Sequence, residues 1–260
     1  MSESRGIQSI EVGGALLQAL VQAARPLSLK ELAHAAGMPT SKAHPYLASF
    51  SRVGLVAQDP STGLYGLGSM ALQMGLASLK QLDPIKVVTP MAEKLALEVG
   101  QSVALSVWGN HGPTVIRLIE STAPIHVNMR PGTVMDLTQT ATGLAFCAWL
   151  PVHRVEAMIQ AEVARLGGQA GEANRMREEL SQQCAETRRR MVARALSRPI
   201  PGVNALAAPV FNAYGEAVLV MTALGPAASF SAAWDSPIAT ALKSFASQAS
   251  QHLGWEQHAA

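Results

Sequence analysis

Apolar residues recur every three or four positions along the first third of the chain. Over 12–23, Leu16, Leu17, Leu20 and Val21 share one face of a helix, and Arg25 and Pro26 stop it. Ser28 and Glu31 have the spacing of a capping box, in which hydroxyl and carboxylate each take an orphan N–H at a helix start. A second helix follows with Leu29, Leu32, Ala33 and Ala36 inward, ended by the turn at Gly37 and Pro39. Thr40 is placed to cap a third helix, whose inner face is Ala43, Leu47 and Phe50. After Gly54 the period changes, and short strands on either side of the turn-rich stretch 59–63 predict a hairpin. An apolar helix over 69–82 carries Leu72, Leu76 and Leu79 on one side. Asp83 and Pro84 end it, and a domain boundary belongs there.

Beyond that boundary, helical and alternating patterns intermix. A helix is expected over 85–99, strands over 101–108 and 114–119 around the turn signal of 109–113, and a further strand over 125–128. Apolar helices follow over 141–150 and over 152–164, the latter with Val155, Ile159 and Val163 inward. A loop at 167–171 then leads to a charged helix over 175–195. Strands over 206–211 and 217–224 flank the turn 212–215, and an amphipathic helix covers 237–254. Antiparallel hairpins and helices without strict β-α-β alternation predict an α+β fold.

Composition narrows the function classes. Hydrophobic residues make up 48% and charged residues 15%, which excludes a disordered chain. No run of eighteen apolar residues predicts a spanning helix, and the polar start has no signal-like apolar core, so a cytoplasmic protein is expected. Cys147 and Cys184 are the 2 cysteines, too few for a disulfide framework or a four-cysteine zinc site. The formal charge is +2. Residues 1–80 hold six basic groups against four acids, and the rest holds fourteen of each, so the whole excess lies in the first segment. An anionic partner must therefore be met by a local patch rather than by bulk charge.

Helix, turn, helix and hairpin in that order make a winged helix-turn-helix, which lays one helix in a DNA major groove and braces it with another. The recognition candidate is 40–52. Thr40, Ser41, Lys42 and His44 lie near its start on the outer side, and Arg52 near its end is within reach of a phosphate. No acid lies between Lys42 and Arg52. Pro45 either sits inside this helix at the cost of one backbone bond or begins it at the first position. A small-molecule sensor whose winged helix contacts another protein is the competing reading. Arg188, Arg189, Arg190 and Arg194 read as a solvated helix face within pairing range of Glu178, Glu179 and Glu186. The histidines lack metal spacing, and neither a nucleophile elbow nor a phosphate loop occurs, so no metal, cofactor or enzymatic activity is expected.

The stretch from Leu29 to Ala33, Ser41 to His44, Tyr46 and Leu47, Gly54 to Val56, Gln58 to Pro60, and Thr62, Gly63, Tyr65, Leu67 and Gly68 resembles the DNA-binding domain of the IclR family of bacterial transcriptional regulators. Residues 200–211, Gly215 and 224–226 resemble that family's effector-domain signature, and 138–143 falls at its ligand loop. The resemblance implies a winged helix-turn-helix over 7–68, a linker helix over 69–83, and a GAF-like effector-binding and oligomerisation domain over 84–260. It implies homodimers, or dimers of dimers, acting as repressor or activator on palindromic double-stranded DNA. It also implies effector contacts from the N–H groups of Ala141 and Thr142, with Gly143, Ala205, Thr222 and Leu224 around them. From the sequence itself, Met129 and Arg130 either stand at the pocket mouth, where Arg130 counters an anion, or belong only to a turn at Pro131 and Gly132. The sequence departs from the family at Pro45, where a polar residue is usual, and at Thr138 and Leu144, where His and Lys are frequent. Ala195, Ala205 and Leu224 stand at pocket positions that are polar in relatives binding small oxo-acids. A more apolar pocket for a small carboxylate, such as an aromatic acid, is the expectation.

Overall fold

The computed structural model describes residues 6–121, 129–165 and 170–256. The strand expected over 125–128 and most of the loop expected over 167–171 lie outside those residues. The chain divides after Leu82 into two compact units.

In the first unit, α1 (Gln8–Ala23) buries Leu16, Ala19 and Leu20, while Val21, expected inward, is exposed. The capping box forms as expected on α2 (Leu29–Ala35): Glu31 N donates to Ser28 Oγ, and Ser28 N to the Glu31 carboxylate. Those bonds, with Arg25, pull the Glu31 pKa down to about 2. Helix α3 (Thr40–Arg52) packs Ala43 and Leu47 against α1 and α2. Its N-cap is Pro39, not Thr40, and the Lys42 and Ala43 amides donate to the Pro39 carbonyl. Pro45 lies inside the helix rather than at its first position. Strands β1 (Val56–Gln58) and β2 (Tyr65–Leu67) pair antiparallel, and Leu27 bridges to Tyr65 on the other side of β2. Helix α4 (Ser69–Gln81) leaves Met70, Leu72, Met74 and Leu76 exposed within this unit.

In the second unit, α5 (Pro84–Val99) starts on the Asp83 side chain, which accepts from the Ile85 and Lys86 amides. The chain continues through β3 (Ser102–Gly109), β4 (Gly112–Ile119), α6 (Ala141–Trp149), α7 (Val152–Arg165) and α8 (Ala170–Arg190). It then runs through β5 (Ala193–Leu196), β6 (Val203–Phe211), β7 (Ala217–Pro226) and α9 (Pro237–His252). The strands form one antiparallel sheet in the order β4-β3-β7-β6-β5. Helix α6 packs its buried side chains on β5, β6 and β7, while α9 covers β6 and α5 covers β3. Helices and antiparallel strands thus combine as an α+β fold.

The charged helix expected over 175–195 is corrected: it ends at Arg190, and 193–196 is an edge strand. Met191 takes a left-handed conformation at φ 57°, which breaks the helix. Ala193 and Ala195 are then buried while Arg194 and Leu196 face outward, a period of two rather than 3.6.

Gly68 joins β2 to α4 where a side chain has no room. A Cβ there would stand 2.3 Å from the Gly54 carbonyl oxygen, which accepts from the Met70 amide. Gly68→Ala is expected to cost about 2 kcal/mol, read as roughly thirtyfold faster amide exchange in α1 to α3. Gly14→Ala, with nothing within 4 Å of the added carbon, should slow exchange instead.

Candidate functional site

The outer side of α3 carries a cation near each end, Lys42 and Arg52. Thr40, Ser41, Lys42, His44 and Arg52 are all exposed. Among the described residues neither Lys42 nor Arg52 has a carboxylate partner, whereas Arg25 is paired with Glu31 at 3.2 Å. Arg52 Nε donates to the Ala48 carbonyl at 3.4 Å, which steadies the stem of the side chain and leaves the guanidinium tip exposed.

The hairpin turn beside it is organised by its own acid. The Asp59 carboxylate accepts from Ser61 N at 2.7 Å, Ser61 Oγ at 2.6 Å and Thr62 N at 3.2 Å. These bonds lower its pKa, so the charge is held and turned into the turn rather than outward. Gln58 Nε2 donates across the turn to the Gly63 carbonyl, fixing the tip.

In the second unit, residues far apart in sequence meet around one cavity of about 50 Å³. Its lining includes Met129, Ala141, Thr142, Ala205, Thr222 and Leu224, all expected from sequence. Gly143 is buried behind it, with its amide taken by Thr140 Oγ1 at 2.9 Å. A Cβ on Gly143 would stand 2.2 Å from the Asp136 carbonyl oxygen, so glycine lets the loop pass under the helix. Arg130 is exposed, and neither it nor Ala195 lines the cavity. Ala195 is buried on β5, paired with Ala205.

The start of α6 sets the polar end of this cavity. Thr140 caps the helix, donating to the Asp136 carbonyl and accepting from Gly143 N. Helix geometry gives the Ala141 and Thr142 amides no intrahelical acceptor. Thr142 Oγ1 and Thr222 Oγ1 lie 2.9 Å apart, both buried. One hydroxyl proton joins the two oxygens, and the other remains to donate to a further acceptor. Ala104, Val115 and Leu224, with Met129, Met135 and Ala205 against them, form an apolar cluster at the same place. The arrangement suits a molecule with an oxygen anion at one end and an apolar body.

Sequence reasoning missed four contributors, Met135, Arg198, Pro199 and Glu162, whereas Thr140 falls in the expected ligand loop. Met135, Arg198 and Pro199 line the cavity, the last two from the segment between β5 and β6. Glu162, 8% exposed, holds the loop from behind. Its carboxylate accepts from Leu137 N at 2.7 Å, Thr138 N at 3.1 Å and Thr138 Oγ1 at 2.5 Å. A signal was present: Glu162 follows Val155 and Ile159 on the inward face of α7, where an acid needs partners.

The remaining clusters are structural. Arg188 Nε donates to the Ala148 carbonyl near the end of α6. Arg189 and Arg190 pair with Glu186, whose pKa they lower, and Arg190 and Arg194 lie over the Trp234 ring. Burial, above all, pushes the Cys147 and Cys184 thiols up, so neither is a ready thiolate. Among the described residues no three His, Cys, Asp or Glu side chains converge to hold a metal ion, and no helix is long and apolar enough to cross a membrane.

Comparison with known proteins matches two parts of the chain separately. Residues 9–60 match the IclR helix-turn-helix domain, and residues 76–251 match the bacterial transcriptional regulator IclR C-terminal domain. The crystal structure of Pseudomonas aeruginosa HmgR superposes with a TM-score of 0.89 at 33% identity, covering 97% of this chain and 100% of that one. The glycerol operon regulatory protein of Streptomyces griseus is 28% identical over 96% of this chain and 98% of its own length. The transcriptional repressor IclR of Escherichia coli is 24% identical, over 85% of this chain and 80% of its own.

Removing the Glu162 carboxylate leaves two buried backbone donors without acceptors. Glu162→Ala is expected to destabilise the second unit by about 2–4 kcal/mol. All 4 tryptophans lie in that unit, so their fluorescence reports its urea transition. A midpoint within the error of the wild type would contradict the clamp.

Proposed function

The chain belongs to the IclR family of bacterial transcriptional regulators, and on that premise we propose a ligand-responsive DNA-binding regulator whose effector is a small carboxylate with an apolar body, such as an aromatic acid. The observation that carries the effector assignment is the cavity where the start of α6 and the Thr142–Thr222 hydroxyl pair face methionine and aliphatic walls. The amides of Ala141 and Thr142, with the positive end of the α6 dipole, would hold the carboxylate. Met129, Ala205 and Leu224 would meet the body of the ligand, and Arg198 would lie at the rim. Gly143 acts by keeping the loop close, and Arg130 adds a positive charge next to Met129.

The cavity is small: about 50 Å³ accommodates roughly three or four waters. An aromatic acid enters only when Met129 and Met135 repack, which their unbranched thioethers allow. Binding is therefore coupled to movement of the wall, and a ligand that prefers one wall arrangement shifts the population toward it.

On the DNA side, Ser41, Lys42 and His44 would enter or border the major groove, with Thr40 beside them. Arg52 and the 59–63 turn would meet the sugar–phosphate backbone or the minor groove. The exposed apolar residues of α4 support pairing of two copies, which doubles the few charges each copy brings to a palindromic site.

Two measurements test these assignments. Calorimetry with benzoate and acetate should give heat for benzoate and none for acetate at millimolar concentration, and binding of acetate alone would contradict the apolar-body assignment. For DNA, log affinity should fall linearly with log salt, and Lys42→Ala should flatten the slope by about one unit. An unchanged slope would remove Lys42 from the phosphate contacts.

A further inference from the structure

The outward face of α3 is polar at its two ends and apolar in the middle. At about 100° per residue, Ser41, Pro45, Ala48, Ser49 and Arg52 stand opposite the buried Ala43 and Leu47. Pro45 is exposed at the centre of that face. The Ser49 hydroxyl, its neighbour one turn on, donates back to the Pro45 carbonyl at 3.0 Å and so is turned away from an outside acceptor. Arg52 is tethered at its Nε to the Ala48 carbonyl, beyond the centre. What remains in the middle is the proline ring beside the Ala48 methyl. This patch makes no hydrogen bond through a side chain.

An apolar centre on a groove-reading helix selects an apolar feature in the groove. In the major groove of DNA that feature is the C5-methyl group of thymine; the other base edges present hydrogen-bond donors and acceptors. A polar side chain at position 45 would reach those edges, and proline has none to offer. We propose that Pro45 is a specificity-determining residue that packs, with Ala48, against a thymine methyl in each half of the target site. The assignment rests on α3 being the helix that reads DNA. It adds the base class that the centre of the helix selects.

The test isolates the methyl group. Duplexes are first enriched from a randomised pool with the full-length wild-type chain, and each thymine of the winning duplex is then replaced singly by deoxyuridine, which lacks only that methyl. Burial of one methyl group corresponds to about a fourfold change in affinity. The wild type is expected to lose about three- to fivefold at one thymine per half-site. Pro45→Ala, which shortens the side chain and favours helix formation, should bind with the deoxyuridine penalty at that position reduced below about 1.5-fold. Helical content by circular dichroism at the wild-type level shows that the variant is folded. A wild type indifferent to every deoxyuridine, or a penalty of the same size in Pro45→Ala, overturns the assignment while leaving DNA recognition intact. Failure to enrich any duplex contradicts DNA recognition itself, and the assignment with it.

Discussion

The cavity of the second unit depends on how a loop is held under the start of α6. The Glu162 carboxylate takes the Leu137 and Thr138 amides and the Thr138 hydroxyl, and Thr140 then closes the turn between the Asp136 carbonyl and the Gly143 amide. Gly143 is the residue that fits, because the Asp136 and Leu137 backbone occupies the space a Cβ would need. Buried polar groups this dense are costly if any one is left unpaired. Their mutual satisfaction fixes the direction in which the Ala141 and Thr142 amides point. The polar end of the cavity is thus built from backbone, and its geometry is set by a side chain on a different helix.

The apolar end follows another logic. Its walls are β-strand residues facing α6, together with Met129 and Met135, and they contribute volume rather than hydrogen bonds. Under the proposed function, a rigid polar end and an adaptable apolar end would recognise a carboxylate strictly and the rest of the ligand loosely. In the first unit the division is similar. The Asp59 turn is held by its own hydrogen bonds and α3 by its packed face, while among the described residues Lys42 and Arg52 carry their charges into solvent without acidic partners.

Much of this was legible in the chain itself. The capping box at Ser28 and Glu31, the hairpin around 59–63 and the buried Ala43 and Leu47 follow from local spacing, because each involves residues close in sequence. Five of the cavity residues were reached through the family resemblance, and Met129 from the sequence around Pro131 and Gly132. Glu162 and Arg198 were not, because their role depends on the packing of α7 and of the β5–β6 segment against a loop distant in sequence. The end of α8 was missed because a run of arginines extends the helical pattern up to Arg190, and only the left-handed turn at Met191 reveals the strand behind it. Pro45 is the opposite case: visible at once in the sequence, but placed within α3 and on its outward face only by the fold.

The central claim is that one chain links an apolar carboxylate in the second unit to DNA held by the first. Linkage requires that coupling to be reciprocal. Benzoate affinity should be measured by calorimetry for the full-length chain, free and saturated with its enriched duplex, alongside DNA affinity with and without saturating benzoate. The account predicts that both affinities change by the same factor, between about fivefold and 150-fold. A benzoate affinity identical in the free and DNA-bound chain would contradict it.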